Sequence, residues 1–267
     1  MIKTLRATVL FLAVCLLVAG CVSTGGGRGH PGEHGRLGMD RVSPVRSADL
    51  NTRLGVGYFE RGDLKIAIEK LERAISLDPA HVPAYITLAL VQEKLGRDAV
   101  ARRHYRKAAG LAPDDGATLN TYAAFLCRQG EYREADELFR RAVRDPFYET
   151  REVVLTNAGS CARRDGRWDD AQDYLRSALD YNPEYPAALY QLTRLYLLQD
   201  DAFRARAFLQ RYEAVAEADP SAMLLGMQIE QRLGNRQQAD HYFSLLEREF
   251  PDSEEAKRAR QRSENYD

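Results

Sequence analysis

Residues 82–115 read VPAYITLALVQEKLGRDAVARRHYRKAAGLAPDD, and residues 116–151 continue with GATLNTYAAFLCRQGEYREADELFRRAVRDPFYETR. Set one above the other, the two stretches agree where geometry is demanding: Gly96 with Gly130, Ala101 with Ala135, Tyr105 with Phe139, Ala108 with Ala142. A period of 34 residues suits a two-helix unit copied along a chain. The glycine can take the left-handed backbone conformation that ends one helix and opens a tight turn. The two alanines lie on one face of the next helix and let a neighbour approach closely. The aromatic residue between them fills the space they leave.

The same frame runs outward in both directions. Alanines recur at Ala67, Ala101, Ala135, Ala171, Ala205 and Ala239, spaced 34, 34, 36, 34 and 34 residues apart. Ala74, Ala108, Ala142 and Ala178 come seven residues later, with Tyr212 and Leu246 in the last two copies. Between them stand Leu71, Tyr105, Phe139, Leu175, Leu209 and Phe243. Turn glycines occur at Gly62, Gly96, Gly130, Gly166 and Gly234, while Asp200 takes that place in the fifth copy. Pro79, Pro113, Pro183 and Pro251 close most units, because proline cannot continue the second helix.

This pattern resembles the tetratricopeptide repeat (TPR) family. The resemblance implies an all-α fold: a TPR superhelical solenoid of six helix-turn-helix repeats with a C-terminal capping helix. The repeats are expected at 48–81, 82–115, 116–151, 152–185, 186–219 and 220–253. Two extra residues fall near Asp145-Pro-Phe-Tyr-Glu-Thr150 and should perturb the stack locally. After Pro251, residues 254–267 read as a polar helix and tail, a solvated end of the kind solenoids need.

The chain opens differently. Lys3 and Arg6 precede Ala7–Ala19, an uncharged apolar run of signal-peptide length, too short for the roughly 20 residues that span a bilayer. It ends Val18-Ala19-Gly20-Cys21, which resembles the lipobox of bacterial lipoproteins. The resemblance implies cleavage after residue 20 and acylation at Cys21; the alternative is an ordinary signal peptide cut near Ala19. Val22, rather than Asp, at the next position favours the outer membrane by the enterobacterial sorting rule. Residues 21–47 are rich in glycine, lack apolar periodicity and read as a flexible tether.

Composition narrows the function. The net charge is −1, and residues 1–20 hold two cations and no anion, so residues 21–267 carry −3. No cluster of Lys and Arg suggests nucleic-acid binding. Gly25-Gly26-Gly27 lacks the Lys-Ser/Thr that completes a phosphate loop, and Pro31 and Gly32 spoil any helix that would align His30 with His34 for zinc. His81, His104 and His241 fall one per repeat, as solvated or partly packed side chains. Trp168 reads as packing. No motif of nucleophilic, acid/base or metal-assisted catalysis appears. The chain reads as no enzyme, with no cofactor, metal or small-molecule substrate.

Cys127 and Cys161 lie near the ends of first helices in consecutive repeats. In TPR units these helices run side by side, so an oxidising compartment favours a disulfide; two buried free thiols are the alternative. By the same resemblance, a partner would lie along first helices at Asn120, Ala124, Thr156, Ser160, Arg163, Tyr190 and Arg194. Lys94, Arg128, Arg164 and Arg232 end first helices, where a cation complements the helix dipole; a cationic groove seeking a carboxylate is the alternative.

Lipobox, tether and six repeats together resemble the type IV pilus biogenesis lipoproteins called PilF or PilW. The likeness is strongest in Leu119–Gly130, Ala142–Tyr148 and Leu155–Gly159 with Cys161, although Thr121 and Ala123 replace the expected Asn and Gly. The resemblance implies a pilotin. Such a protein binds secretin subunits, rides the lipoprotein export machinery, and promotes secretin insertion and multimerisation from the periplasmic face of the outer membrane. The alternatives are a TPR adaptor of another envelope machine, for outer-membrane protein assembly or murein hydrolase recruitment, and an enzyme with a site hidden in the groove.

Overall fold

The computed structural model describes residues 43–263; Cys21, the apolar leader and most of the glycine-rich segment lie outside the described residues. Within them the chain forms thirteen helices and no strand. These are α1 (Pro44–Glu60), α2 (Leu64–Leu77), α3 (Val82–Lys94), α4 (Asp98–Leu111), α5 (Gly116–Arg128), α6 (Tyr132–Val143) and α7 (Arg151–Arg164). The remainder are α8 (Trp168–Tyr181), α9 (Pro186–Leu198), α10 (Ala202–Glu213), α11 (Pro220–Arg232), α12 (Arg236–Glu249) and α13 (Glu254–Ser263). Helices α1 to α12 pack as six successive pairs, and α13 seals the end against α11 and α12.

One turn geometry joins every pair. Gly62, Gly96, Gly130, Gly166 and Gly234 have φ between 68° and 84°, inside the left-handed region. The next residue's N–H then reaches back to a carbonyl in the last turn of the first helix. Arg97 donates to Gln92, Glu131 to Leu126 and Arg167 to Ala162, each at 2.9 Å. These bonds satisfy carbonyls that the helix end would otherwise leave without partners.

The repeated small and large residues form the core. Ala67, Ala101, Ala135, Ala171 and Ala205 are fully buried, as are Leu71, Tyr105 and Leu175 between the paired helices. A methyl group added at Gly159 would stand 2.6 Å from Leu175 Cγ, so α7 and α8 meet at backbone range there. Apolar clusters succeed one another along the chain, from Ala48–Val91 through Ala89–Cys161 and Leu155–Ile229 to Met223–Ala259.

Successive odd-numbered helices α1, α3, α5, α7, α9 and α11 approach one another at backbone range, whereas successive even-numbered helices among α2 to α12 stand further apart and meet through long side chains, as Tyr174 of α8 does with Asp136 and Arg140 of α6. Neighbouring pairs are therefore closer on the odd side than on the even side. The stack bends toward its odd helices, which line the inner, concave face.

Four expectations change. The helical body starts at Pro44 rather than at residue 48, because the Ser43 hydroxyl accepts from Arg46 N at 3.2 Å and caps a helix with proline in its first turn. The last helix is not polar all round: Ala256 and Ala259 are fully buried beside Met227 and Leu246. His81 is buried, with Asp49 and Asp78 at 3.5 and 3.6 Å from its ring nitrogens. Trp168, at the first position of α8, keeps 40% of its surface in solvent.

Candidate functional site

The inner face over α5, α7 and α9 gathers the side chains that the repeat frame marks for partner contact. Asn120 on α5 is buried, and its Oδ1 accepts from Asn157 Nδ2 on α7 at 3.0 Å. Ala124 on α5, Ser160 and Arg163 on α7, and Tyr190 and Arg194 on α9 are half-buried. Thr156 is 6% exposed, and its Oγ1 has no hydrogen-bond partner. Arg163 Nε and Gln191 Oε1 are buried and equally without partners. The aromatic ring of Tyr190 lies 5.9 Å from the Arg194 guanidinium carbon and 5.6 Å from the Tyr212 ring. Asn157 and Gln191 escaped the sequence reading. Their signal was the frame itself, since both stand one position beyond the inner-face column of Asn120, Thr156 and Tyr190.

The charges on this face are unevenly satisfied. Arg128 forks onto Glu93 of α3 at 2.6 and 2.9 Å, and Glu93 also accepts from the Tyr105 hydroxyl at 3.1 Å. Arg206 of α10 holds Glu230 of α11 in the same bidentate way. Such pairs lock neighbouring repeats in register. Arg163 and Arg194 have no such carboxylate among the described residues. Burial pulls the Arg163 guanidinium below its ordinary range, and the positive charges of Arg194 and Arg164 add to that pull. The acids near Tyr190 are occupied: Asp219 accepts from the Tyr212 hydroxyl at 2.6 Å and Glu255 from the Ser221 hydroxyl at 3.0 Å.

An apolar cleft of about 490 Å³ adjoins this region between α3 and α5, lined by Val82, Pro83, Ile86, Ala117 and Thr121 among others. At the start of the helical body, α1 leaves Val45, Leu50 and Leu54 in solvent.

Behind the face, the structure bonds Cys127 of α5 to Cys161 of α7, with Cα atoms 5.7 Å apart. The repeats are offset by 36 residues at this junction, so Cys127 stands level with Arg163 and the bond runs diagonally. Four segments match tetratricopeptide repeat family profiles: residues 55–96, 82–115, 114–184 and 162–226. The crystal structure of PilW, a widely conserved type IV pilus biogenesis factor, superposes with a TM-score of 0.73 and is 30% identical, covering 79% of this chain and 96% of PilW.

The chain belongs to the PilW/PilF family of type IV pilus biogenesis TPR proteins. The type IV pilus assembly protein PilF of Pseudomonas aeruginosa is 27% identical over 250 residues, 94% of this chain and 96% of PilF. Its structure superposes with a TM-score of 0.70 over 82% of this chain and 99% of that one. Among the described residues no group of His, Cys, Asp and Glu is arranged to hold a metal ion, and no helix is long and apolar enough to cross a membrane.

Proposed function

We propose that this protein is a non-catalytic pilotin of the type IV pilus. Acyl chains on Cys21 hold it at the periplasmic face of the outer membrane, and its inner helical face receives secretin subunits. The observation that carries the reading is the end-to-end likeness to PilF, which spans 94% of the chain and so includes the region around Cys21 as well as the repeats. The physical requirements are few. Several acyl chains give firm anchoring, since each buried methylene contributes about 0.8 kcal/mol. The glycine-rich segment supplies reach, and a stack of paired helices supplies a rigid surface. Binding secretin subunits and delivering them to the membrane where the lipid resides promotes insertion by proximity alone.

The test is deletion of the protein, then electrophoresis of secretin multimers. Loss of multimers and of twitching is expected, restored by the wild-type chain and not by Cys21→Ala, which should leave the outer-membrane fraction. Normal multimers and normal twitching in the deletion would remove the pilotin reading. Loss of envelope integrity with twitching intact would instead assign the protein to another envelope machine.

A further inference from the structure

We propose that Arg163 and Arg194 form a carboxylate-binding subsite on the inner face, which holds an acidic side chain of an extended partner segment. The proposal deepens the secretin-binding reading and rests on it for the identity of the partner.

Three observations lead there. First, α5, α7 and α9 are rich in cations: they contain Arg128, Arg151, Arg163, Arg164 and Arg194 against a single carboxylate, Glu152, although Arg128 is already held by Glu93 of α3. The whole chain is close to neutral, so this is a local arrangement rather than a consequence of composition. Second, Arg163 and Arg194 sit on adjoining helices and repel one another, while burial strips water from Arg163. Both effects oppose folding, and no acid among the described residues offsets them. Elsewhere the same molecule resolves this problem, giving Glu93 to Arg128 and Glu230 to Arg206. Third, α7 and α9 bury polar atoms without partners: Arg163 Nε itself, the Thr156 hydroxyl and Gln191 Oε1. Leaving such groups unpaired costs stability, so the interior beside Arg163 does nothing to offset its charge.

A carboxylate suits the accessible part of the Arg163 and Arg194 pair, both of which are half-buried. A guanidinium donates two parallel N–H bonds to the two oxygens of a carboxylate, and a second guanidinium can approach from the side. The Tyr190 ring beside Arg194 fixes one side of the cation. The chemistry thus selects a carboxylate, and on the secretin-binding reading that carboxylate is a side chain of an extended partner segment.

The experiment uses the full chain in detergent, titrated with four probes and monitored by the side-chain Nε–Hε resonances of Arg163 and Arg194. The probes are a blocked alanine peptide with one central glutamate, its glutamine counterpart, an unblocked alanine peptide with a free C-terminal carboxylate, and sodium acetate. The glutamate peptide should shift both resonances and bind about tenfold tighter than the glutamine peptide, as expected for charge-assisted bonds. Arg163→Gln and Arg194→Gln should each abolish that preference, and Arg164→Gln should leave it intact. Neither groove variant should lower the melting temperature, because each removes a repelling charge; that separates binding from a structural role. Equal binding of the glutamate and glutamine peptides, preference for the free C-terminus, acetate binding as well as the peptide, or no binding of any probe would each overturn the subsite. Capture of secretin subunits separates the two proposals. Unchanged capture by the Arg163→Gln, Arg194→Gln double variant sinks this inference and leaves the pilotin reading standing, whereas failure of the wild-type chain to capture them sinks the pilotin reading alone.

Discussion

At Asp200 the chain carries an ordinary side chain where its five sibling turns carry glycine, yet the backbone there has φ of 60°. The turn keeps its form because Asp201 N still donates to Tyr196 O at 2.9 Å, closing the end of α9 as the other turns close theirs. A side chain at this φ crowds the backbone at a cost of roughly 1 kcal/mol, less for aspartate than for most residues. Its compensation is small: Arg232 lies 3.3 Å from a carboxylate that is 88% exposed, and exposed pairs contribute little. Asp200→Gly should therefore stabilise the protein by about 0.5–1 kcal/mol, read as a higher urea midpoint with unchanged slope. A lower midpoint would mean that the ion pair outweighs the strain. The sequence frame exposed this position because the period names the turn residue whether or not glycine fills it. It was blind to Gly159, where the demand comes from Leu175 on another helix rather than from the local backbone.

Helix boundaries were legible wherever a turn residue or proline punctuates the chain, and less so where a side chain does the capping, as Ser43 does for α1. The connector between α6 and α7 shows a further gap. Its two extra residues suggested a disturbance of the stack, but α6 and α7 still pack together. The slack is taken up by Asp145, whose Oδ2 accepts from Gly116 N at 2.8 Å and whose Oδ1 accepts from Phe147 N at 2.9 Å. Tyr148 seats against Gly116, where an added methyl group would come within 2.9 Å of its side chain. One carboxylate thus folds its own connector and caps the start of α5, a pairing across 29 residues that no local pattern announces. The two backbone N–H groups hold the Asp145 carboxyl below its ordinary value of 3.8. A depressed folded value means that the unfolded chain binds the proton more readily. The stabilisation is then fully present above the ordinary value and is lost as pH falls through the folded one. Asp145→Asn should be less stable than wild type at pH 7, and the gap should shrink as the solution is acidified below the ordinary carboxylate range. Urea midpoints measured across that range test this. A gap that stays constant with pH would show that the carboxylate's charge is not what secures the connector.

At the scale of the whole molecule, the period made the architecture readable while the inner face stayed half-hidden. Copies of one hairpin must stack, so six alanines in register suffice for the fold. Which inner side chains meet depends on how neighbouring helices are staggered, and that stagger is set by packing. The frame places Asn120 level with Thr156, yet its hydrogen bond goes to Asn157. The diagonal disulfide from Cys127 to Cys161 has the same origin. Stacking in sequence also governs how the molecule comes apart. Its apolar clusters overlap only with their neighbours along the chain, so local stability is set by adjacent repeats rather than by one shared core. The disulfide closes a loop of 34 residues across the third and fourth repeats, worth about 3–4 kcal/mol in the chain-entropy model. In a single cooperative core, losing that bond would speed hydrogen exchange everywhere alike. In a one-dimensional stack the loss should be confined. Reduction, or the Cys127→Ala, Cys161→Ala pair, should raise exchange most in α5 to α8, less in α3, α4 and α9, and leave α1, α2, α12 and α13 unchanged. Exchange mass spectrometry of oxidised and reduced protein distinguishes the two behaviours. A uniform increase from α1 to α13 would mean that the repeats unfold as one body, and that the sequential clusters are more tightly coupled than their contacts imply.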